Sequence, residues 1–279
     1  MSVLHAGSHR LSLASPLIMG IVNTTPDSFS DGGRWLDATA AIRHALKLRE
    51  EGADILDVGG ESTRPGATAV PAGEEISRVL PVIEALVGHG CVVSVDTKKA
   101  EVMRAALDAG AVMVNDVMAL HEPGALQVVA ASDAAVCLMH MQGDPQSMQH
   151  APRYADVVAE VKLFLQGRVM ACAASGIGRN RLVVDPGFGF GKTLQHNLDL
   201  LKHLKSLTEI GVPVLAGLSR KSMLGTLTGR DVGEREFAGV AAHLAAVARG
   251  ARLVRVHNVA AMRDALAIWN AVEEWQDGT

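Results

Sequence analysis

At 279 residues and 48% hydrophobic composition the chain can bury a large core, and its length is one at which α/β barrels run as single domains. A net charge of -4, from 26 basic and 30 acidic residues with no long single-sign run, argues against a nucleic-acid partner. No uncharged apolar run approaches the roughly 18 residues of a membrane span, the polar start with His5, His9 and Arg10 lacks the apolar stretch of a signal peptide, and the scattered Cys91, Cys137 and Cys172 fit reduced thiols, so no membrane and a cytoplasmic location are expected.

Residues 1–16 are polar or irregular and are expected to form an extension that closes the bottom of a single domain over 17–279. From Leu17 onward come eight short apolar runs of strand type: 17–23, 53–59, 91–97, 112–117, 135–140, 182–187, 213–219 and 253–258. Stretches of helical composition follow them, clearest over 37–51, 74–87, 99–109, 154–174 and 234–249. Eight βα units without a composition break predict an α/β fold, a (β/α)8 TIM barrel with right-handed crossovers. An open doubly wound sheet fits less well, because it gathers its polar residues at one or two switch points, whereas here nearly every strand ends in one.

Strand alternation sorts these residues by face. Met19, Ile21 and Asn23 share a face on the first strand, Ser94 and Asp96 on the third, Met113 and Asn115 on the fourth, Cys137 and Met139 on the fifth, Val183 and Asp185 on the sixth, and Arg255 and His257 on the eighth. Pointed into a barrel mouth, they form with Lys221 a ring of Asn23, Asp96, Asn115, Met139, Asp185, Lys221, Arg255 and His257. Singly each has a plain structural explanation: Asp96 as a helix cap, Asn115 satisfying a loop, Lys221 and Arg255 neutralising acids. Together, two carboxylates, an amide and an ammonium over an apolar floor suit a heterocycle with ring N–H, amino and carbonyl groups. Arg255 and His257 lie where such barrels commonly hold phosphate, and Asn23 offers a neutral oxygen for hydrated Mg2+ shared with that phosphate.

Three loops frame the ring. Residues 24–33, containing Phe29 and Asp31, are long, polar and Gly-ended, as suits a lid. Residues 59–66 present Thr63-Arg64-Pro65, with Asp57 and Glu61 expected to brace the Arg64 guanidinium. In residues 182–192 an apolar strand ends in Asp185 and breaks into Pro186-Gly187-Phe188-Gly189-Phe190-Gly191-Lys192. Gly191-Lys192-Thr193 ends like a nucleotide-binding loop, but Pro186 stands where that motif needs its first Gly and has no N–H for a phosphate. The loop reads instead as a lid whose Phe188 and Phe190 flank a flat ligand.

The segments 19–33, 59–66, 94–97, 114–116, 139–143, 182–192, 219–222 and 255–257 occur in the order found in, and together closely resemble, the bacterial dihydropteroate synthases, a family of pterin-binding barrels. The resemblance spans nearly the whole chain; Thr24, where the family usually has an apolar residue, departs from it without touching the chemistry. It implies condensation of 6-hydroxymethyl-7,8-dihydropterin diphosphate with 4-aminobenzoate to 7,8-dihydropteroate and diphosphate. Carried over by position, Asp96, Asn115, Met139, Asp185, Phe190 and Lys221 bind pterin, and Asn23, Arg255 and His257 hold diphosphate and Mg2+. Thr63, Arg64, Pro65, Phe190, Lys221 and Ser222 surround aminobenzoate, the target site of sulfonamides, with Phe29 and Asp31 on the first loop. The catalytic set is Asp96, Asp185, Lys221, Arg255 and His257, and a homodimer is implied. Arg255 would then serve the diphosphate and leave dihydropterin affinity nearly intact. A corrinoid-linked methyltransferase on the same barrel should lack the Thr63-Arg64-Pro65 and Lys221-Ser222 elements, and a non-catalytic pterin-binding paralogue should lack Asn23, Arg255 and His257; all are present.

Overall fold

The computed structural model describes residues 2–24, 34–62, 69–143, 148 and 151–273, with only the backbone of 34–37. Phe29, Asp31, Thr63, Arg64 and Pro65 therefore lie outside the described residues.

Eight parallel strands close into a barrel: β3 (Leu17–Asn23), β4 (Ile55–Gly59), β5 (Val93–Asp96), β6 (Met113–Asp116), β7 (Ala135–Met139), β8 (Leu182–Asp185), β9 (Val214–Ala216) and β10 (Ala251–Val256), with β10 paired back onto β3. The apolar runs are continuous because both faces of each strand are buried. One face of the wall, including Leu17, Met19, Ile55, Met113, Cys137, Val183, Leu215 and Leu253, fills the barrel interior. The other, including Ile18, Val22, Leu56, Val58, Val95, Val114 and Val184, packs on the surrounding helices. This is the expected (β/α)8 barrel.

The helices obey the complementary period. In α2 (Ala72–Gly88), Val79, Val82, Ile83 and Leu86 form one buried stripe against the sheet. Each such side chain, fully buried, contributes roughly 1.5–3 kcal/mol over its exposed state. α5 (Val157–Ala174) starts three residues later than its composition predicts, because Asp156 is its N-cap and accepts the Val158 and Ala159 N–H groups, each at 3.0 Å. Among the described residues no helix is long and apolar enough to cross a membrane.

The start of the chain, read as irregular, is a hairpin of β1 (Val3–Ala6) and β2 (His9–Ser12). Leu4 and Ala6 on its inner face, with Leu13, join the inner cluster of the barrel and stopper the end opposite the strand C-termini.

On α9 (Glu236–Val247) the buried His243 ties a helix to the loop after β9: its Nε2 accepts the Leu218 N–H at 3.1 Å, and its Nδ1 contacts the Gly239 carbonyl at 2.8 Å, which fixes a neutral ring with the proton on Nδ1. Burial pushes its pKa down to about 4. A folded value below the unfolded ~6.5 means that this contribution is complete above about pH 6.5 and is lost as the pH falls through about 4. His243→Gln should therefore be less stable than wild type at pH 8 by on the order of 1–3 kcal/mol, with the difference shrinking by pH 4. Chemical unfolding of both proteins across that range checks this, and the difference cancels the opposite slope from the buried carboxylates. A deficit independent of pH would mean that the ring acts by packing alone.

Candidate active site

The C-terminal ends of the strands carry the polar ring. Asp96 ends β5, Asn115 lies near the end of β6, Met139 ends β7, Asp185 ends β8 and Arg255 lies on β10. At the mouth a chain of ion pairs and hydrogen bonds crosses five adjacent strands. Arg255 donates from Nε to Asp57 Oδ2 at 2.7 Å and from a terminal nitrogen to Asp96 Oδ2 at 2.6 Å, and Asn115 Nδ2 donates to the same Asp57 oxygen at 2.9 Å. Two carboxylates thus share one guanidinium. Burial pushes Asp96 up to about 7, against the pull of Arg255 and with a smaller push from Asp57.

Asp57 pairs with Arg255 from another strand, a contact its sequence position does not announce; Arg64, which it is expected to brace, lies outside the described residues. Glu61 joins Lys99: Glu61 Oε2 accepts from Lys99 Nζ at 2.6 Å and from the Val70 N–H at 2.8 Å, and Lys99 also pairs with the buried Glu75. These contacts hold together the two described ends of the segment that carries Thr63 to Pro65.

Asp185 is buried, and burial raises its pKa. Its Oδ1 accepts the Gly187 N–H at 2.7 Å, so that oxygen is oriented by the turn. Gly187 has φ +67° and sits so close to the His140 carbonyl that a Cβ would overlap it; Gly191, at φ +60°, meets the Gln142 carbonyl in the same way. Two strand-end loops therefore pack backbone on backbone. Lys192 fastens them. Fully buried, its ammonium donates to the carbonyls of Gly187 and Phe190, each at 2.9 Å, and of His140 at 3.2 Å, and lies 3.0 Å from His140 Nδ1. Burial pushes Lys192 down to about 7 and His140 to about 3, so the imidazole is neutral and can accept from the lysine. The lysine that imitates a nucleotide-binding motif is a clamp for the loop.

That clamp sorts the two rings. Phe188 is fully buried in the layer between barrel and helices, so it does not flank a ligand. Phe190 is partly exposed, and Lys221 Nζ lies 4.0 Å from its ring centroid. Burial pushes Lys221 down to about 8, offset in part by Asp185. Ser222 opens α8 (Ser222–Thr228) directly after it.

His257 places its Nδ1 2.9 Å from Ser219 Oγ, at a cleft bordered by Arg220, Arg235 and Asn258. Asn23 ends β3 in register with Gly59, which is in turn in register with Asp96. The Thr24 hydroxyl donates to the Gly59 carbonyl at 3.1 Å, giving this departure from the family pattern a role in tying two strand ends. Sequence reading missed Ser219 and the reach of Asp57 and Lys192. The signal for Asp57 was its place on the inward face with Ile55 and Gly59; Ser219 and Lys192 carried no local signal for their partners.

The model of the pterin binding enzyme family matches residues 19–257. The chain is 52% identical over 275 residues to a dihydropteroate synthase of Neisseria meningitidis serogroup C, covering 97% of each. Among solved structures, it is similar to Xanthomonas albilineans dihydropteroate synthase with 4-aminobenzoic acid, at TM-score 0.94 and 57% identity over 99% of both chains. The same enzyme in complex with 7,8-dihydropteroate aligns at TM-score 0.88 and 51% identity, over 99% of this chain and 100% of that one. With these identities over almost the full length of both chains, and a barrel mouth that holds the carboxylates, amide and lysine of the motifs in one ring, the chain belongs to the pterin binding enzyme family, among the dihydropteroate synthases.

Proposed function

We propose that this chain condenses 6-hydroxymethyl-7,8-dihydropterin diphosphate with 4-aminobenzoate, releasing 7,8-dihydropteroate and diphosphate. The observation that carries the reading is the ring of Asp96, Asn115, Asp185 and Lys221 around one barrel mouth, with Asp185 oriented by the Gly187 amide. Its acceptors and donors match the amino, ring N–H and carbonyl groups of a pterin, and Met139 and Phe190 supply apolar contact.

The charges favour a dissociative substitution. The C–O bond from the pterin methylene to diphosphate breaks with its electron pair leaving on oxygen, the aminobenzoate nitrogen forms the new C–N bond, and that nitrogen then loses its extra proton to solvent. Asp96 and Asp185 would stabilise the cationic methylene pterin, and Arg255 and His257 the leaving diphosphate. Lys221 and Ser222, beside Phe190, would receive the aminobenzoate, together with Thr63, Arg64 and Pro65. Asn23, at the end of β3, supplies the protein oxygen that would share Mg2+ with the diphosphate. When bound there it would neutralise charge on the departing diphosphate.

A homodimer in the cytoplasm is part of the same proposal. Leu227, Val232 and Phe237, on α8, the turn after it and α9, together with Ile268 and Val272 on α10 (Val259–Glu273), are exposed apolar side chains on neighbouring helices, and sedimentation equilibrium tests their burial in a second copy.

The test of the reaction is diphosphate release from the pterin diphosphate with and without 4-aminobenzoate, with dihydropteroate followed in parallel. Release matched mole for mole by dihydropteroate is expected. No dihydropteroate under any condition overturns the proposal.

A further inference from the structure

Asp57 lies on the inward face of β4, two residues before Gly59, and is fully buried. Its Oδ2 accepts both Asn115 Nδ2, from β6, and Arg255 Nε, from β10. Those strands lie on opposite sides of it, each two places away in the barrel wall. Its Oδ1 has no hydrogen-bond partner among the described residues, and neither has Oγ of Ser94, the residue in register with it on β5. A buried carboxylate that serves only to hold the fold should have both oxygens satisfied, since each unmet one retains its desolvation cost. Among the described residues the accepting power of the group goes through one oxygen to two side chains of the site.

We propose that Asp57 is a positioning residue for the reaction set out above, on which this inference rests: from beneath the substrates it fixes both the Asn115 amide and the Arg255 guanidinium. A carboxylate can only accept, so Asn115 must turn its Nδ2 toward Asp57 and present its Oδ1 to the ligand. Asn115 thereby reads a donor on the pterin, and the opposite amide orientation is excluded. The same oxygen holds Arg255 at Nε, which aims the far end of its fork at Asp96. Pterin recognition and the stabilisation of leaving-group charge then share one support.

Asp57→Asn tests this with almost no change of volume. The new amide can donate to Asn115 Oδ1, which lets the Asn115 side chain turn over and present a donor to a donor. Dihydropterin affinity, measured by calorimetry on the full chain, should fall about ten- to a hundred-fold, and turnover at saturating substrates should fall as well. In an Asn115→Ala background the same Asp57 substitution should change dihydropterin affinity several-fold less than it does in wild type, because one of the two residues it acts through is gone and only the Arg255–Asp96 route remains. Asp57→Ser runs through the same cycle should the Asn variant not fold. Losses of dihydropterin affinity that add independently in the double variant, or a lower melting temperature with unchanged affinity and turnover per folded molecule, would overturn the proposal. Wild-type protein that binds no dihydropterin would instead overturn the functional reading itself.

Discussion

Arg255→Ala is expected to destabilise the fold by about 3–5 kcal/mol, more than any effect on diphosphate alone would suggest. The guanidinium is the shared counter-charge of Asp57, fully buried, and Asp96, and its removal leaves two neighbouring carboxylates without it. For a chain of this size the melting temperature should drop on the order of 10 °C. The pH dependence separates this from a packing defect. Asp96 already has its carboxyl raised to about 7, and loss of Arg255 raises it further. An acid raised in the folded state takes up protons that the unfolded chain does not, so the folded variant gains relative stability as the pH falls. The deficit against wild type should therefore shrink between pH 8 and pH 6 in thermal melts. A constant deficit would mean that the two acids are not what Arg255 supports. Because Asp96 is also a proposed pterin ligand, dihydropterin affinity should fall together with diphosphate affinity. The sequence alone led to the opposite expectation, an Arg255 that serves diphosphate only.

Asp185→Asn is expected to leave a folded protein with a crippled site. The Gly187 N–H already donates to Oδ1, so the amide oxygen of an asparagine will keep that place and its NH2 will replace Oδ2. That NH2 would then face the pterin's own amino or ring N–H donors inside a dry pocket. An unmade buried hydrogen bond of this kind costs roughly 1–3 kcal/mol, or about ten- to a hundred-fold in pterin affinity. A further loss should appear in turnover at saturation, since the negative charge facing the cationic methylene pterin is gone. Burial disfavours the ionised form of Asp185, so its neutral replacement relieves a cost of folding and the melting temperature should hold. Wild-type pterin affinity and turnover in the purified variant would make Asp185 a brace of the Gly187 turn and nothing more.

The barrel was legible because its two periodicities are strong. β3 runs from Leu17 to Asn23 as its apolar pattern predicts, and alternation placed Ser94, Met113, Cys137 and Val183 on the inward side. The rest depended on distances in space. The Ile55, Asp57, Gly59 alternation puts Asp57 inside, but only the closed barrel shows that Arg255 reaches it from two strands away. Phe188 reads as a ligand contact because rings are scarce in this chain and it shares a loop with Phe190; the left-handed Gly187 turns the chain so that this ring enters the core. The alternation of Leu4 and Ala6 in the first hairpin was present but brief, and only the open end of a barrel gave those side chains a place to go.

The stopper at that end bears on how the chain can be made. Leu4 and Leu253 lie far apart in the sequence, yet both belong to one inner layer. Until β10 emerges, β3 lacks one neighbour and β9 the other, and a nascent chain holds seven strands with two open edges. Pairing Leu17 with Leu253 closes a loop of more than two hundred residues, so the closing step is the slow one and needs β10 in place. A chain without β10 thus keeps two unpaired strand edges open, whatever the stability of the finished barrel.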